Sequence, residues 1–311
     1  MNISRIVKGI TKLIFDSNYR FDFLANKGVY NNMADDEYLK RLFKAKLGRE
    51  LNLENPKSFN EKLQWLKLYD RNPLYTITSD KYAAREYVKE KIGEEHLVPL
   101  IDVWDNPDNI DFDKLPDKFV LKCNHNSGMG MCICKDKSKL DIISVKNKLR
   151  DGLNENYYLR CREWQYRDIK RRIVCEKFMS DGRSGSLMNY KIYCFNGEPK
   201  IFHMSSDIGD KSASLSFLDT DWNPLPFCRT DYPPFKVLPQ KPENIDELLN
   251  TARILSEDFT FVRVDLYVVD GTIYFSELTL DPCGGFSPFS PEEWDLKLGE
   301  WLRLPEQKRE D

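Results

Sequence analysis

Ile3, Ile6, Val7, Ile10, Leu13 and Ile14 recur at helical spacing with Arg5, Lys8 and Lys12 between them, and predict a basic amphipathic helix over residues 3–15. Residues 1–56 read as a helical extension that ends at Pro56-Lys57-Ser58, where Ser58 can cap a helix over Phe59–Leu68. Ser79 reads as the N-cap of a further helix, with Ala84, Tyr87, Val88 and Ile92 on one face and Gly93 at its end. A strand at Leu97–Val103 and a connector holding Pro107 and Pro116 close a segment spanning 57–117. From 118 to 178 the pattern predicts strands Phe119–Cys123 and Met131–Cys134 about a glycine-containing loop, Asn124–Gly130. A helix over 139–152 and a strand at Ile173–Glu176 follow, the latter leading into the turn-rich Ser180–Gly185. In 179–311, Asn189–Phe195 and Pro199–His203 pair about Asn196-Gly197, and a proline-bearing irregular stretch (224–242) precedes a helix at 243–256 and a hairpin over 260–279. Strands and helices mix without strict βαβ alternation, which gives an α/β fold of the α+β type.

Composition narrows the class. With 41% hydrophobic residues the chain has enough apolar material for a sizeable core, and disorder is excluded. Lys and Arg total 47 against 50 Asp and Glu, so the overall charge of -3 lacks the basic excess that nucleic-acid binding leaves. The eight cysteines form no C-x-x-C pair and several sit in apolar runs, as buried free thiols in a reducing, cytoplasmic compartment would. The knot of Cys123, His125, Cys132 and Cys134 has spacings poor for structural zinc. No run is long enough to span a membrane, and charges interrupt every short apolar run of the N-terminus, unlike a signal peptide. The basic helix 3–15 therefore either docks on the protein or lies on the inner face of an anionic membrane.

Candidate chemistry concentrates in two places. In the segment Phe261–Thr279, period two puts Arg263 and Asp265 on one face and Val262, Val264 and Leu266 on the other. A two-residue Asp270-Gly271 turn would place Glu277 opposite Val264, whereas a three-residue loop with Gly271 in a G1 bulge keeps Arg263, Asp265, Glu277 and Thr279 together. The apolar pattern favours the three-residue loop, which also puts Leu278 beside Val264. Two facing carboxylates repel unless a cation lies between them, and Mg²⁺ takes one or two carboxylates plus substrate phosphates. The alternative is a solvated face with an Arg–Asp surface pair. The second place is Phe119–Gly130, an apolar strand ending on Lys122 and followed by Ser127, Gly128, Met129 and Gly130. Glycines let backbone N–H groups approach phosphate oxygens, and lysine adds a compact charge. The order is not that of a P-loop, so a hairpin with a glycine-rich turn stays open.

With these stretches in view the chain resembles the ATP-grasp superfamily, and within it the TupA-like proteins of teichuronopeptide and capsular polysaccharide biosynthesis. The resemblance lies in Ser58–Trp65, Asp80–Val88, Phe119–Gly130, Ile173–Phe178, Tyr190–Gly197 and Phe261–Gly285, and so spans about 57 to 300. It implies an ATP-grasp fold in which two antiparallel-sheet subdomains clamp ATP. Lys122 would contact the α- and β-phosphates under a cover of Ser127, Gly128, Met129 and Gly130. Glu176, Lys177, Phe178 and Met179 would form the hinge that reads adenine. Lys191 would be a further phosphate or substrate contact, Arg263 would stabilise the transferred phosphoryl group, and Asp265, Glu277 and Thr279 would bind one or two Mg²⁺ ions. Two departures stand out: Thr279 replaces the usual Asn after the bridging Glu, and Asn189 stands where relatives tend to have Asp. The Asp281–Gly285 turn would approach the acceptor.

The resemblance implies a carboxylate–amine ligase acting through an acyl-phosphate on small-molecule or glycan-linked substrates of surface polysaccharide. A sugar or glycan kinase, a glycosyltransferase-like enzyme using a sugar nucleotide, and a non-catalytic nucleotide-binding partner are the alternatives. His125 can touch phosphate or cap its loop, and His203 reads as a structural histidine. Asp80, Lys81 and Arg85 read as a solvated charged turn or as acceptor contacts.

Overall fold

A computed structural model describes residues 11–180, 187–206 and 213–306. Most of the expected basic helix and of the Ser180–Gly185 turns lies outside these residues; 11–15 are helical, with Ile14 and Phe15 exposed. No helix among the described residues is long and apolar enough to cross a membrane.

Helices α1 (Ser17–Ala25) and α2 (Asp35–Leu47) pack together around Tyr38, Leu39, Leu42 and Phe43. Helix α3 (Phe59–Tyr69) starts where expected because Ser58 and Glu61 form a reciprocal capping box, with Ser58 N donating to Glu61 Oε2 at 2.9 Å. Ser79 does not cap the next helix. It ends a short helix, α4 (Leu74–Ser79), and a turn follows in which Asp80 Oδ1 accepts from Tyr82 N before α5 (Ala84–Ile92) begins. The polar run Thr-Ser-Asp thus serves as a helix exit and turn, two roles that Ser and Asp fill as readily as capping.

The first sheet contains β1 (Leu100–Trp104), β2 (Phe119–Cys123), β3 (Met131–Cys134) and β4 (Ile173–Lys177) in the order β1-β4-β2-β3, all antiparallel. Phe119, Leu121, Ile173 and Cys175 point to one side and pack on α6 (Ile142–Asn154) through Val145 and Leu149. Val120, Lys122, Val174 and Glu176 consequently point to the other side.

The second sheet takes β5 (Asn189–Phe195), β6 (Glu198–Ser206), β7 (Ser214–Asp219), β9 (Phe261–Val269) and β10 (Thr272–Thr279) in the order β10-β9-β5-β6-β7. The short β8 (Cys228–Arg229) pairs with β11 (Phe289–Ser290). One face of the large sheet, carrying Ile192, Val262, Val264 and Leu266, packs on α8 (Ile245–Ser256). The opposite face is divided. Tyr193, Phe195 and Phe261 bury against Phe59 of α3 and Leu298 of α9 (Glu293–Trp301), while Lys191, Arg263 and Asp265 are left for chemistry.

Helices α3 and α9 approach closely at Gly299, where an added Cβ would meet Lys57 O at 2.0 Å, backbone that cannot yield. Gly299→Ala is therefore expected to cost about 1–3 kcal/mol through overpacking, read as a lower urea midpoint at unchanged slope.

Candidate active site

The β9–β10 hairpin brings Glu277 opposite Asp265 and Thr279 opposite Arg263, as the apolar pattern requires, but not through the expected loop. Val269 pairs with Thr272 across a two-residue turn, with both Asp270 (φ 51°) and Gly271 (φ 80°) left-handed. The odd residue sits further along. Phe275 pairs with Leu266 and Glu277 with Asp265, so Ser276 is extruded as a bulge that restores parity. Asp-Gly suits the tight turn, and burial of Leu278 beside Val264 demands one extra residue somewhere on the return strand.

On the other side of β9, Lys191 of β5 also faces Asp265. Asp265 is fully buried and accepts from Arg263 Nε at 2.6 Å, Arg263 Nη2 at 2.7 Å and Lys191 Nζ at 3.1 Å. Arg263 Nη2 also donates to Glu277 Oε1 at 3.1 Å and Thr279 Oγ1 at 2.9 Å. The two carboxylates thus share a guanidinium, the cation that their mutual repulsion requires. Burial alone would lower the Arg263 pKa, but Asp265 and Glu277 hold it above the ordinary value. Burial would likewise raise Glu277, yet the charges of Lys81, Arg263, Lys191 and Lys122 hold it below.

Those four cations arrive from the turn before α5, β9, β5 and β2, so the two sheets face one another across Glu277. Lys122 Nζ pairs with Glu176 Oε2 at 2.6 Å, and Arg85 approaches the same carboxylate at 3.7 Å. Lys81 Nζ donates to Asn126 O, and burial, with the neighbouring charge of Lys122, pulls its pKa down. Lysines crowded beside each other, with only part of their charge offset, form an environment suited to a polyanion.

The loop after β2 is pinned from within. Asn124 Nδ2 donates to Asp80 Oδ1 at 2.7 Å and Asn126 Nδ2 to Gly152 O at 3.1 Å, while Ser127, Gly128 and Met129 are exposed. Gly130 (φ 66°) is required, because a Cβ there would meet Cys123 Sγ at 2.5 Å and Gly152 Cα at 3.0 Å. In the expected hinge, Glu176 points into the cleft with Val174, whereas Lys177 lies on the opposite face and its N–H is taken by Pro99 O at 2.9 Å. Phe178 and Met179 are half-buried beyond the strand.

His125 is buried, with Nε2 3.2 Å from Glu155 O, so it anchors the loop from inside. Burial pushes its pKa down to about 4. The folded state therefore resists a proton that the unfolded chain accepts near 6.5. Stability should fall as pH drops from about 6.5 towards 4, and His125→Gln should flatten that part of a melting-temperature profile against pH. His203 is buried between Tyr193 and Phe217, and burial with the charges of Arg263, Lys191 and Arg229 keeps it neutral.

The donor set fits magnesium. Asp265, Glu277 and Thr279 offer hard oxygens, and Glu277 Oε2 has no hydrogen-bond or ion-pair partner among the described residues. Lys81 is the functional candidate that sequence reading did not place here, since no local signal says that its turn meets β2 and β10.

A TupA-like ATP-grasp family profile matches residues 61–303. Among solved structures, D-alanine–D-alanine ligase from Helicobacter pylori is 15% identical, with a TM-score of 0.42 over 79% of this chain and 70% of that one. The ADP complex of purK, an N5-carboxyaminoimidazole ribonucleotide synthetase, is 14% identical, with a TM-score of 0.43 over 80% of this chain and 58% of that one. The D-cycloserine synthetase DcsG is 13% identical, with a TM-score of 0.41 over 74% of this chain and 70% of that one. No curated protein matches the chain. With about three-quarters of its length inside one family profile, this chain belongs to the TupA-like ATP-grasp family.

Proposed function

We propose that the protein is an ATP-dependent carboxylate–amine ligase that works through an acyl-phosphate on a precursor of cell-surface polysaccharide. The observation that supports it best is the convergence of Lys81, Lys122, Lys191 and Arg263, from four separate elements, on the Asp265–Glu277 pair. Lys81 and Lys122 hold the α- and β-phosphates, and Ser127, Gly128, Met129 and Gly130 close over them. The hinge at 176–179 borders adenine, with the exposed faces of Met131 and Ile133 as an apolar floor. Asp265, Glu277 and Thr279 hold Mg²⁺, which when bound draws charge from the phosphate oxygens. Arg263 and Lys191 neutralise the charge that builds as a carboxylate attacks the γ-phosphate, and they stay in place while an amine displaces phosphate from the acyl group. The polysaccharide role rests on the family likeness. Contact with the inner face of a membrane is supported by the exposed Ile14 and Phe15 beside Lys12.

Products test the reading. With pooled sugar acids or amino acids as carboxylates and pooled amines, ADP and free phosphate are expected only when both pools are present. ADP with a phosphorylated sugar and no free phosphate would make the enzyme a kinase instead. Indifference to ATP would overturn both readings.

A further inference from the structure

A hollow of about 560 Å³ opens between the α1–α2 connection and α7 (Tyr158–Cys161), and shares no residue with the Asp265–Glu277 cluster. Ala25, Asn26, Gly28 and Asn31 line it from the N-terminal helices, and Asn156, Leu159 and Arg160 from the later segment. Hydrogen bonds tie the two walls together. Arg162 Nη2 donates to Tyr30 O at 2.8 Å and to Asn31 O at 3.2 Å, and Tyr38 Oη donates to Arg160 O at 3.0 Å. The hollow is therefore formed before any ligand arrives, and its size falls within the range of about 300–1,000 Å³ usual for small-molecule sites.

The lining chemistry narrows the ligand. Asn26 Nδ2 donates back to Asp22 O at 2.8 Å, which leaves its amide oxygen to accept. The side-chain amides of Asn31 and Asn156 make no hydrogen bond among the described residues. At Gly28 (φ 78°) an added Cβ would meet Asn31 Nδ2 at 2.9 Å, so glycine gives that amide its place. Arg160 brings the one formal charge, and Glu155 already pairs with it. An anion would have to compete with Glu155, and no carboxylate among the described lining residues would balance a cation. Ala25 and Leu159 alone are too small a patch for a hydrophobic ligand. Planar amides set donors beside an acceptor, which matches neighbouring hydroxyls, and a small apolar patch matches the C–H face of a sugar ring. The hollow also reaches the loop after β2, because Arg160 Nη2 donates to Met129 Sδ at 3.3 Å.

We propose that this hollow binds a neutral sugar unit of the substrate, its hydroxyls held by Asn26, Asn31, Asn156 and Arg160. The inference deepens the ligase reading and rests on it for its purpose: the sugar anchors a glycan-linked substrate beside the loop that closes over ATP. The probes are the methyl glycosides of glucose, galactose, mannose and N-acetylglucosamine, titrated into the full chain with ¹⁵N-labelled asparagine side chains. Methyl glucuronide and methyl glucosaminide serve as acidic and cationic controls. At least one neutral glycoside should shift the side-chain signals of Asn26, Asn31 and Asn156 saturably, and more tightly than either control. Asn31→Ala combined with Asn156→Ala should weaken that binding at least about tenfold, as loss of two or more neutral hydrogen bonds predicts. No saturable shift with any neutral glycoside, shifts confined to other asparagines, preference for a charged control, or undiminished binding by the variant would each overturn the proposal. Should the variant fail to fold, the three wild-type signals alone decide. Mg-ATP titrated into the same wild-type sample tests the nucleotide reading separately: its failure would leave the sugar result standing, and the reverse holds too.

Discussion

Asp265→Asn combined with Glu277→Gln should abolish magnesium-dependent ATP binding. The double substitution keeps side-chain shape but removes both negative charges from the hairpin and turns one acceptor oxygen at each position into an N–H donor. Arg263, Lys191, Lys81 and Lys122 are then left around neutral amides. Metal-free ATP, the more negative ligand, should therefore bind the variant at least as well as the wild type, while added magnesium should bring no gain. Calorimetry with and without the metal separates the two effects. A variant whose affinity still rises with magnesium would place the metal elsewhere and remove the basis for the proposed chemistry.

The second large effect is expected at Arg263. Asp265 is fully buried, and two of its three contacts come from this guanidinium. Arg263→Ala leaves Lys191 alone to compensate it and strips Glu277 and Thr279 of their shared donor. Breaking a buried pair from one side costs about 3–5 kcal/mol, which a denaturant midpoint would show. Under the proposed function turnover should fall about 10²–10³-fold as well, because that reading gives the same group the transferring phosphoryl charge to neutralise. Magnesium can replace part of the missing charge, so Mg-ATP should raise the melting temperature of the variant more than that of the wild type. Arg263→Lys should recover little, since an ammonium cannot make the forked contact with Asp265. If Arg263→Ala melts like wild type, the ion pairs described here do not hold the hairpin.

Much of the scaffold was legible because local chemistry and burial agree. Phe119–Cys123, Met131–Cys134 and Asn189–Phe195 occur with the expected bounds, and Asn196-Gly197 makes the expected tight turn. Where they part, the reading slips. The β7 strand went unread although Ser214-Leu215-Ser216-Phe217 alternates, because its serines suit turns as readily as strands, and Ser216 is buried despite being polar. Helix α9 escaped notice, since Gly299 weakens its helical signal and is needed for close contact with Lys57. The companionship of Asp265 and Glu277 could be read from parity alone, yet the place of the extra residue could not. A bulge at Ser276 and a longer loop satisfy the same apolar pattern, and the preference of Asp270-Gly271 for a tight turn decides between them. Lys81 was read only as part of a solvated turn or as an acceptor contact, not as a member of this cluster. Its partners lie more than 40 residues away, and nothing in Asp80–Arg85 announces them.

The N-terminal helices are tied to the Tyr158–Arg162 segment by specific contacts. Tyr38 Oη donates to Arg160 O at 3.0 Å, Tyr158 Oη to Asp35 Oδ1 at 2.5 Å, and the fully buried Arg162 to Tyr30 O at 2.8 Å. Phe286, just past the Asp281 turn, completes the same apolar cluster as Phe43. The part of the first 56 residues from Tyr30 onward is thus a buttress and not an appendage. A shortened protein beginning after Pro56 would shed the backing of Arg162 and bare the underside of that region, so recombinant work on substrate choice calls for the entire chain.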